Sequence, residues 1–280
     1  MFRHLRRGAG FYQNLFKLAF PLILQNLITT SLGFVDTFMV GLLGSSELSA
    51  VTAANTPIFL VQVIIFGLLS GQSVLVSQYW GKGDQGAINR CSGVALYFGL
   101  SITALVALTL LLFPRGVMSL VTDNALLVEL GAPYVRIVGV SYVFNAASSV
   151  YIGMQRSTEN PLMGMVVFAI SMLLNTFLNY VFIFGKLGAP ALGITGAALA
   201  TLLSRITEFA IVAVYALRDR RVPLQPKLLL RPGTVIARDF FKYASPVLLN
   251  ESLWGLGVSV LTAIMGHMAI SAEILAAHAI

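Results

Sequence analysis

Charge is scarce in this sequence. Asp, Glu, Lys and Arg together make up 10% of its 280 residues, where a soluble domain carries about 25%. A chain so poor in charge cannot cover a solvated surface. Cysteine is nearly absent too. Cys91 stands alone, which excludes a disulfide within the chain. The three histidines, His4, His267 and His278, make no metal-ligand cluster. Phosphate-binding glycine loops, dinucleotide fingerprints and hydrolase motifs are missing. No nucleophile, base and metal ligands converge, so there is no footing for a membrane-embedded enzyme and no call for a cofactor. The net charge of +7 does not point to nucleic acid, because the basic residues sit in loops between apolar runs.

Those apolar runs are what the chain has in abundance. Hydrophobic residues make up 57% and the mean hydropathy is +0.85. The bilayer is therefore the expected solvent, and only helices or closed barrels cross it. Barrel strands would be about 10 residues long and alternate in polarity. These runs are twice that length and apolar all round, which predicts helices. Seven spans are expected, at roughly residues 16–43, 48–76, 93–113, 128–153, 162–184, 194–217 and 240–268. Polar loops are expected at 77–90 and 114–124, and the longest polar segment at 218–239. Gly67 and Gly71 in the second span would let another helix approach closely. The basic start with Arg3, Arg6 and Arg7 reads as retained, not as a signal peptide, because the run behind it is too long and holds Asp36. With the N-terminus in the cytoplasm of a multi-pass cell-membrane protein, inner segments hold fourteen Lys and Arg and outer loops hold two, Arg115 and Lys186.

One pattern occurs twice. Phe16-Lys17 returns as Phe241-Lys242, Pro21 as Pro246 and Gly41 as Gly266, at one offset of 225. One extra residue then sets Glu47-Leu48 opposite Glu273-Ile274 and Ala50 opposite Ala276. Span 7 begins six spans after span 1 and points the same way. The repeat is therefore parallel, a build used by secondary transporters with substrate between the halves. We expect residues 1–217 to form a six-helix lobe, 218–239 a cytoplasmic inter-lobe linker, and 240–280 the start of a truncated second lobe.

Asp36 is the sharpest chemical signal. A carboxylate inside a membrane is costly, so it is a functional candidate by default, binding a proton or keeping a cation beside it. Asn175 and Asn179 are spaced i, i+4 on one helix face. Their carboxamides suit a cation or proton-linked network, or else bond neighbouring helices as plain glue. Glu251 follows Asn250, which faces Gln25 in the repeat. It is either a substrate carboxylate or a side chain reaching the interface. Arg205 and Glu208, three apart, most simply pair with each other. Tyr142, Phe144, Tyr151 and Trp254 offer ring faces to a flat cation.

Ordered along the chain, these pieces resemble the multidrug and toxic compound extrusion (MATE) family of cation-coupled antiporters. The matching pieces are P-x3-Q with D-x4-G-x2-G (Pro21, Gln25, Asp36, Gly41, Gly44), the SQYWGKGD turn, and the QRSTENP exit of span 4. N-x3-N before FIFGKLGAPALGITGAALAT and P-x3-NE-x2-W in span 7 complete the set. The resemblance implies an all-α membrane protein of twelve helices in two lobes. Of these the chain holds the first six-helix lobe and a seventh helix, while the remainder of the second lobe is missing. It implies export of organic cations driven by Na⁺ or H⁺, with the ion, Na⁺ if a metal, at Asp36 and Asn175. It also implies Glu251 as a functional acid and Thr201 as a contact in span 6. The family often has an aspartate where this sequence has Asn179, which leaves the coupling ion open. Rival readings are a flippase for a lipid-linked substrate, which would need several mid-membrane Lys or Arg where only Arg205 qualifies, and a non-transporting half acting in assembly.

Overall fold

Seven helices long and apolar enough to cross a membrane dominate the computed structural model, which describes residues 9–268 and 270–278. Arg3, Arg6, Arg7 and His4 lie outside the described residues. The elements are α1 (Ala9–Gly41), α2 (Ser45–Gly81), α3 (Gln85–Leu112), α4 (Pro114–Ser119), α5 (Ala125–Ser157), α6 (Pro161–Phe184), α7 (Ile194–Arg218), α8 (Pro226–Leu230), α9 (Thr234–Gly266) and α10 (Ser271–His278). The spanning helices are α1, α2, α3, α5, α6, α7 and α9.

Helix ends outrun the apolar runs. The polar stretch 77–90 is mostly helical, not a loop. α2 continues through Tyr79 and Trp80 to Gly81, and α3 starts at Gln85. Leaving hydrocarbon does not break an i to i+4 ladder, and at 1.5 Å per residue α2 reaches about 55 Å, well past a ~30 Å core. What ends it is a tight turn. Gly83 takes φ +72°, and Asp84 caps α3 by accepting from the Ala87 N–H at 2.8 Å. The expected loop at 114–124 likewise contains α4, and the segment 218–239 contains α8 and the first turns of α9. Pro114, Pro161 and Pro226 each stand at a helix start, where a missing N–H costs nothing.

The repeat reappears in the helix boundaries. The last residue of α9, Gly266, lies 225 positions after that of α1, Gly41. α10 then starts 226 after α2, which is the extra residue seen in the sequence.

α2 is the centre of the packing, lying against α3, α5 and α9, while α1 lies against α6 and α6 against α7. Two buried apolar clusters result. Leu68, Ile88, Met154 and Phe240 belong to one. Val40, Ala50, Leu127, Ile183 and Leu275 belong to the other. The glycine pair of α2 is the notch that admits α9. Leu248 lies over Gly67 and Ala244 over Gly71, so close that neither glycine has room for a Cβ. At its far end α9 is fastened by the Thr122 hydroxyl, which donates to the Gly266 carbonyl at 2.7 Å.

The segment between α7 and α9 is strapped to the lobe. Asp219 accepts from the Tyr151 hydroxyl at 3.1 Å and from Gln155 Nε2. Asn89 donates to the Pro223 carbonyl at 3.1 Å and accepts from the Gln225 N–H at 3.0 Å. Tyr97 donates to the Leu230 carbonyl at 2.8 Å. The QRSTENP turn closes the same network, because Asn160 Nδ2 donates to Gln155 Oε1 and to the Tyr215 hydroxyl, both at 2.9 Å.

Candidate ion site and cavity

α6 carries one buried polar stripe. Ser171, Asn175 and Asn179 repeat at i, i+4 and i+8, and all three are buried, so the stripe faces into the bundle. α1 crosses this face and brings Asp36, about one turn before its end, onto Asn179. Asn179 Nδ2 donates to Asp36 Oδ1 at 2.5 Å and to Asn175 Oδ1 at 3.1 Å. A carboxamide has two N–H donors, and this one spends both. Asn175 Nδ2 in turn reaches Thr201 Oγ1 of α7 at 3.5 Å. Three helices are thereby joined through one acid, two amides and one hydroxyl. Asn179 Oδ1 is buried without a partner among the described residues. The oxygens of these four side chains are hard ligands, a set suited to a proton or a small hard cation.

Asp36 and Thr201 also line a cavity of about 460 Å³ enclosed by α1, α2, α5 and α7, within the usual size of a small-molecule site. α2 contributes Asn55 and Gln62, and α5 contributes Tyr134 and Tyr142. Tyr134 donates to Asn55 Oδ1 at 3.3 Å, and Gln62 Nε2 donates to the Tyr142 hydroxyl at 2.6 Å. Arg205, one turn after Thr201, lines the cavity as well. Its Nη1 donates to Glu208 Oε2 at 2.7 Å, and Glu208 is fully buried.

Of the residues singled out in the sequence, Asp36, Asn175, Asn179, Thr201 and Tyr142 come together here. Gln25, Asn250 and Glu251 stand apart. Gln25 packs on Gly164 of α6. Asn250 is exposed and Glu251 half-buried on α9, whose place is against α2 rather than in the cavity wall. Of the four aromatic residues, Tyr142 alone lines this cavity. Phe144 pairs with Phe209, Trp254 with Phe59, and Tyr151 joins the Asp219 strap. The pairing of Arg205 with Glu208 was legible from their spacing, but the cavity face of Arg205 was not. Asn55, Gln62 and Tyr134 were missed. Asn55 and Gln62 are seven apart, two turns along one face of an otherwise apolar span, and that spacing could have found them.

A family model described as MatE matches residues 21–181, more than half of the chain and including Asp36, Asn175 and Asn179. The chain belongs to this family. It is similar to a probable multidrug resistance protein NorM of Thermotoga maritima, with 26% identity over 275 residues, 96% of this chain and 57% of that protein. It is also similar to the multidrug resistance protein MdtK of Edwardsiella ictaluri, with 31% identity over 237 residues, 81% of this chain and 49% of that protein. The chain spans about half the length of the curated relatives it matches. Among solved structures it shares the fold of a MOP superfamily transporter from Pyrococcus furiosus, at a TM-score of 0.77 and 23% identity over 90% of this chain and 54% of that one. An inward-facing MATE family transporter matches at 0.77 and 21% over 95% and 60%. MATE proteins are transporters, not enzymes, and this one is a multi-pass membrane protein of that fold.

Proposed function

We propose that this chain is the ion-binding lobe of a cation-coupled exporter of small organic molecules, working by alternating access from a cell membrane with its N-terminus in the cytoplasm. The observation that carries this reading is the acid Asp36, tied to Asn179 and Asn175 and facing a 460 Å³ cavity inside a membrane lobe. Relatives named for multidrug resistance support export as the direction. The mechanism follows from charge. Arg205 and Glu208 compensate each other, which leaves Asp36 as the uncompensated charge of the cavity. A proton or Na⁺ entering from outside neutralises it, with Asp36, Asn175, Asn179 and Thr201 as the available oxygen donors. Substrate from the cytoplasmic side then competes with that cation. The ion can bias the two states only by its differential affinity for them. A tenfold ion gradient stores about 1.4 kcal/mol per ion, so one-for-one electroneutral exchange sustains about tenfold substrate accumulation at most.

The test is efflux of an ethidium-type dye from vesicles containing the whole protein, with Na⁺ and pH gradients imposed separately. One of the gradients is expected to drive efflux, and Asp36→Asn to abolish that drive. Gradient-driven efflux that survives Asp36→Asn would remove Asp36 from coupling. No efflux under either gradient would overturn the exporter reading.

A further inference from the structure

The sequence reads Arg205 most simply as the partner of Glu208. The structure gives it a second face. A guanidinium has five N–H donors in a planar fork, and Arg205 gives one nitrogen, Nη1, to Glu208. The side chain keeps 20% of its surface exposed, and it lines the cavity that also holds Asp36. Among the lining residues these two are the charged ones. They form no ion pair with each other within 4.0 Å, whereas Arg205 and Glu208 do. The cavity therefore carries an acid at one place and a guanidinium, held in position by a buried carboxylate, at another.

We propose that Arg205 selects for a carboxylate on the transported solute, making the preferred ligand an ampholyte with a cationic end toward Asp36 and a carboxylate on the Arg205 fork. This rests on the transport reading above and narrows its substrate. A fork fixed by Glu208 loses little rotamer freedom on binding, and planar N–H pairs match a carboxylate better than a point charge does. A plain anion would face repulsion from Asp36. A plain cation would leave the Arg205 donors desolvated and unpaired, which is what makes polar sites discriminate. The ampholyte satisfies both ends. When a coupling ion neutralises Asp36, the cationic end loses its counter-charge, which ties release of the ligand to ion entry.

The test uses two dyes with one chromophore and one cationic xanthylium system: tetramethylrhodamine with its free carboxylate, and its methyl ester. Binding to the whole protein in lipid nanodiscs is read by fluorescence anisotropy. The free acid is expected to bind at least about ten-fold tighter than the ester, the scale of a hydrogen bond to a charged group. Arg205→Gln is expected to erase that preference, and Arg205→Lys to restore it in part, because charge remains and the fork does not. Should Arg205→Gln fail to fold with Glu208 left unpaired, the Arg205→Gln/Glu208→Gln double variant removes both buried charges and carries the same expectation. Equal binding of acid and ester, or an acid preference that survives these variants, overturns the proposal. Binding of the ester alone overturns it while leaving the exporter of cations standing, and binding of neither dye overturns both.

Discussion

Replacing Glu208 or Arg205 by leucine tests how the lobe tolerates charge in its interior. Glu208 has no exposed surface, and its Oε1 has no partner among the described residues. Its other oxygen, Oε2, accepts from Arg205 at 2.7 Å. Breaking a buried ion pair from one side costs about 3–5 kcal/mol, because the remaining charge stays desolvated. The two sides are unequal here. Arg205→Leu strands a carboxylate with no route to water, and belongs at the upper end, about 5 kcal/mol. Glu208→Leu leaves a guanidinium that still reaches the cavity, and belongs at the lower end, about 3 kcal/mol. The double variant replaces both charges by apolar groups in a bundle surrounded by lipid, and is expected to lose less than either single. At about 2–4 °C per kcal/mol for a domain of this size, Arg205→Leu should melt about 10–20 °C lower. Cys91 supplies the assay. It is the chain's one cysteine and fully buried, so its reaction with a fluorogenic thiol reagent reports loss of structure during heating. Single variants that melt within about 3 °C of the parent, or a double variant whose loss equals the sum of the singles, would refute the claim that the two charges are desolvated and coupled.

The contact between α2 and α9 rests on Gly71, over which Ala244 lies without space for a side chain. Gly71→Leu must push the helices apart, and a loss of at least about 1–3 kcal/mol is expected in the same melting assay. An unchanged melt would mean that α9 is not held by this notch. Asp219→Ala removes the acceptor shared by Tyr151 and Gln155. It is expected to speed tryptic cleavage at Arg220 and Arg221 several-fold with little change in melting, since local opening governs such cuts. Unchanged cleavage would show that the strap is held by Asn89 and Tyr97 instead.

Most of the fold was legible because membrane solvent imposes a simple rule. Runs of apolar residues twice the length of a barrel strand can only be helices, and all seven expected spans are found. Where helices end was less legible. Hydropathy reports the edge of the hydrocarbon, whereas a helix ends where its backbone finds a cap. α2 therefore passes through Ser77, Gln78 and Tyr79 and stops at the Gly83–Asp84 turn. In the site, Asp36, Asn175 and Asn179 stood out because each is a polar residue inside an apolar run. The cavity role of Arg205 did not, because a partner three residues away already accounts for its charge. Pairing along one helix is a local fact. Which face then remains free depends on α1, α2 and α5, and no spacing within α7 carries that information.

The repeat separates scaffold from chemistry. α1 and α9 share a terminal glycine and a proline about five turns before it, so their backbones follow one plan. Their surroundings differ. α1 lies on α6, and α9 on α2. At the position of α9 equivalent to Asp36 stands Leu261, which is exposed, and Gln25 corresponds to Asn250. Asp36 is affordable because α6 sets Asn179 against it. The acid therefore depends on the neighbouring amide stripe, not on the helix that carries it.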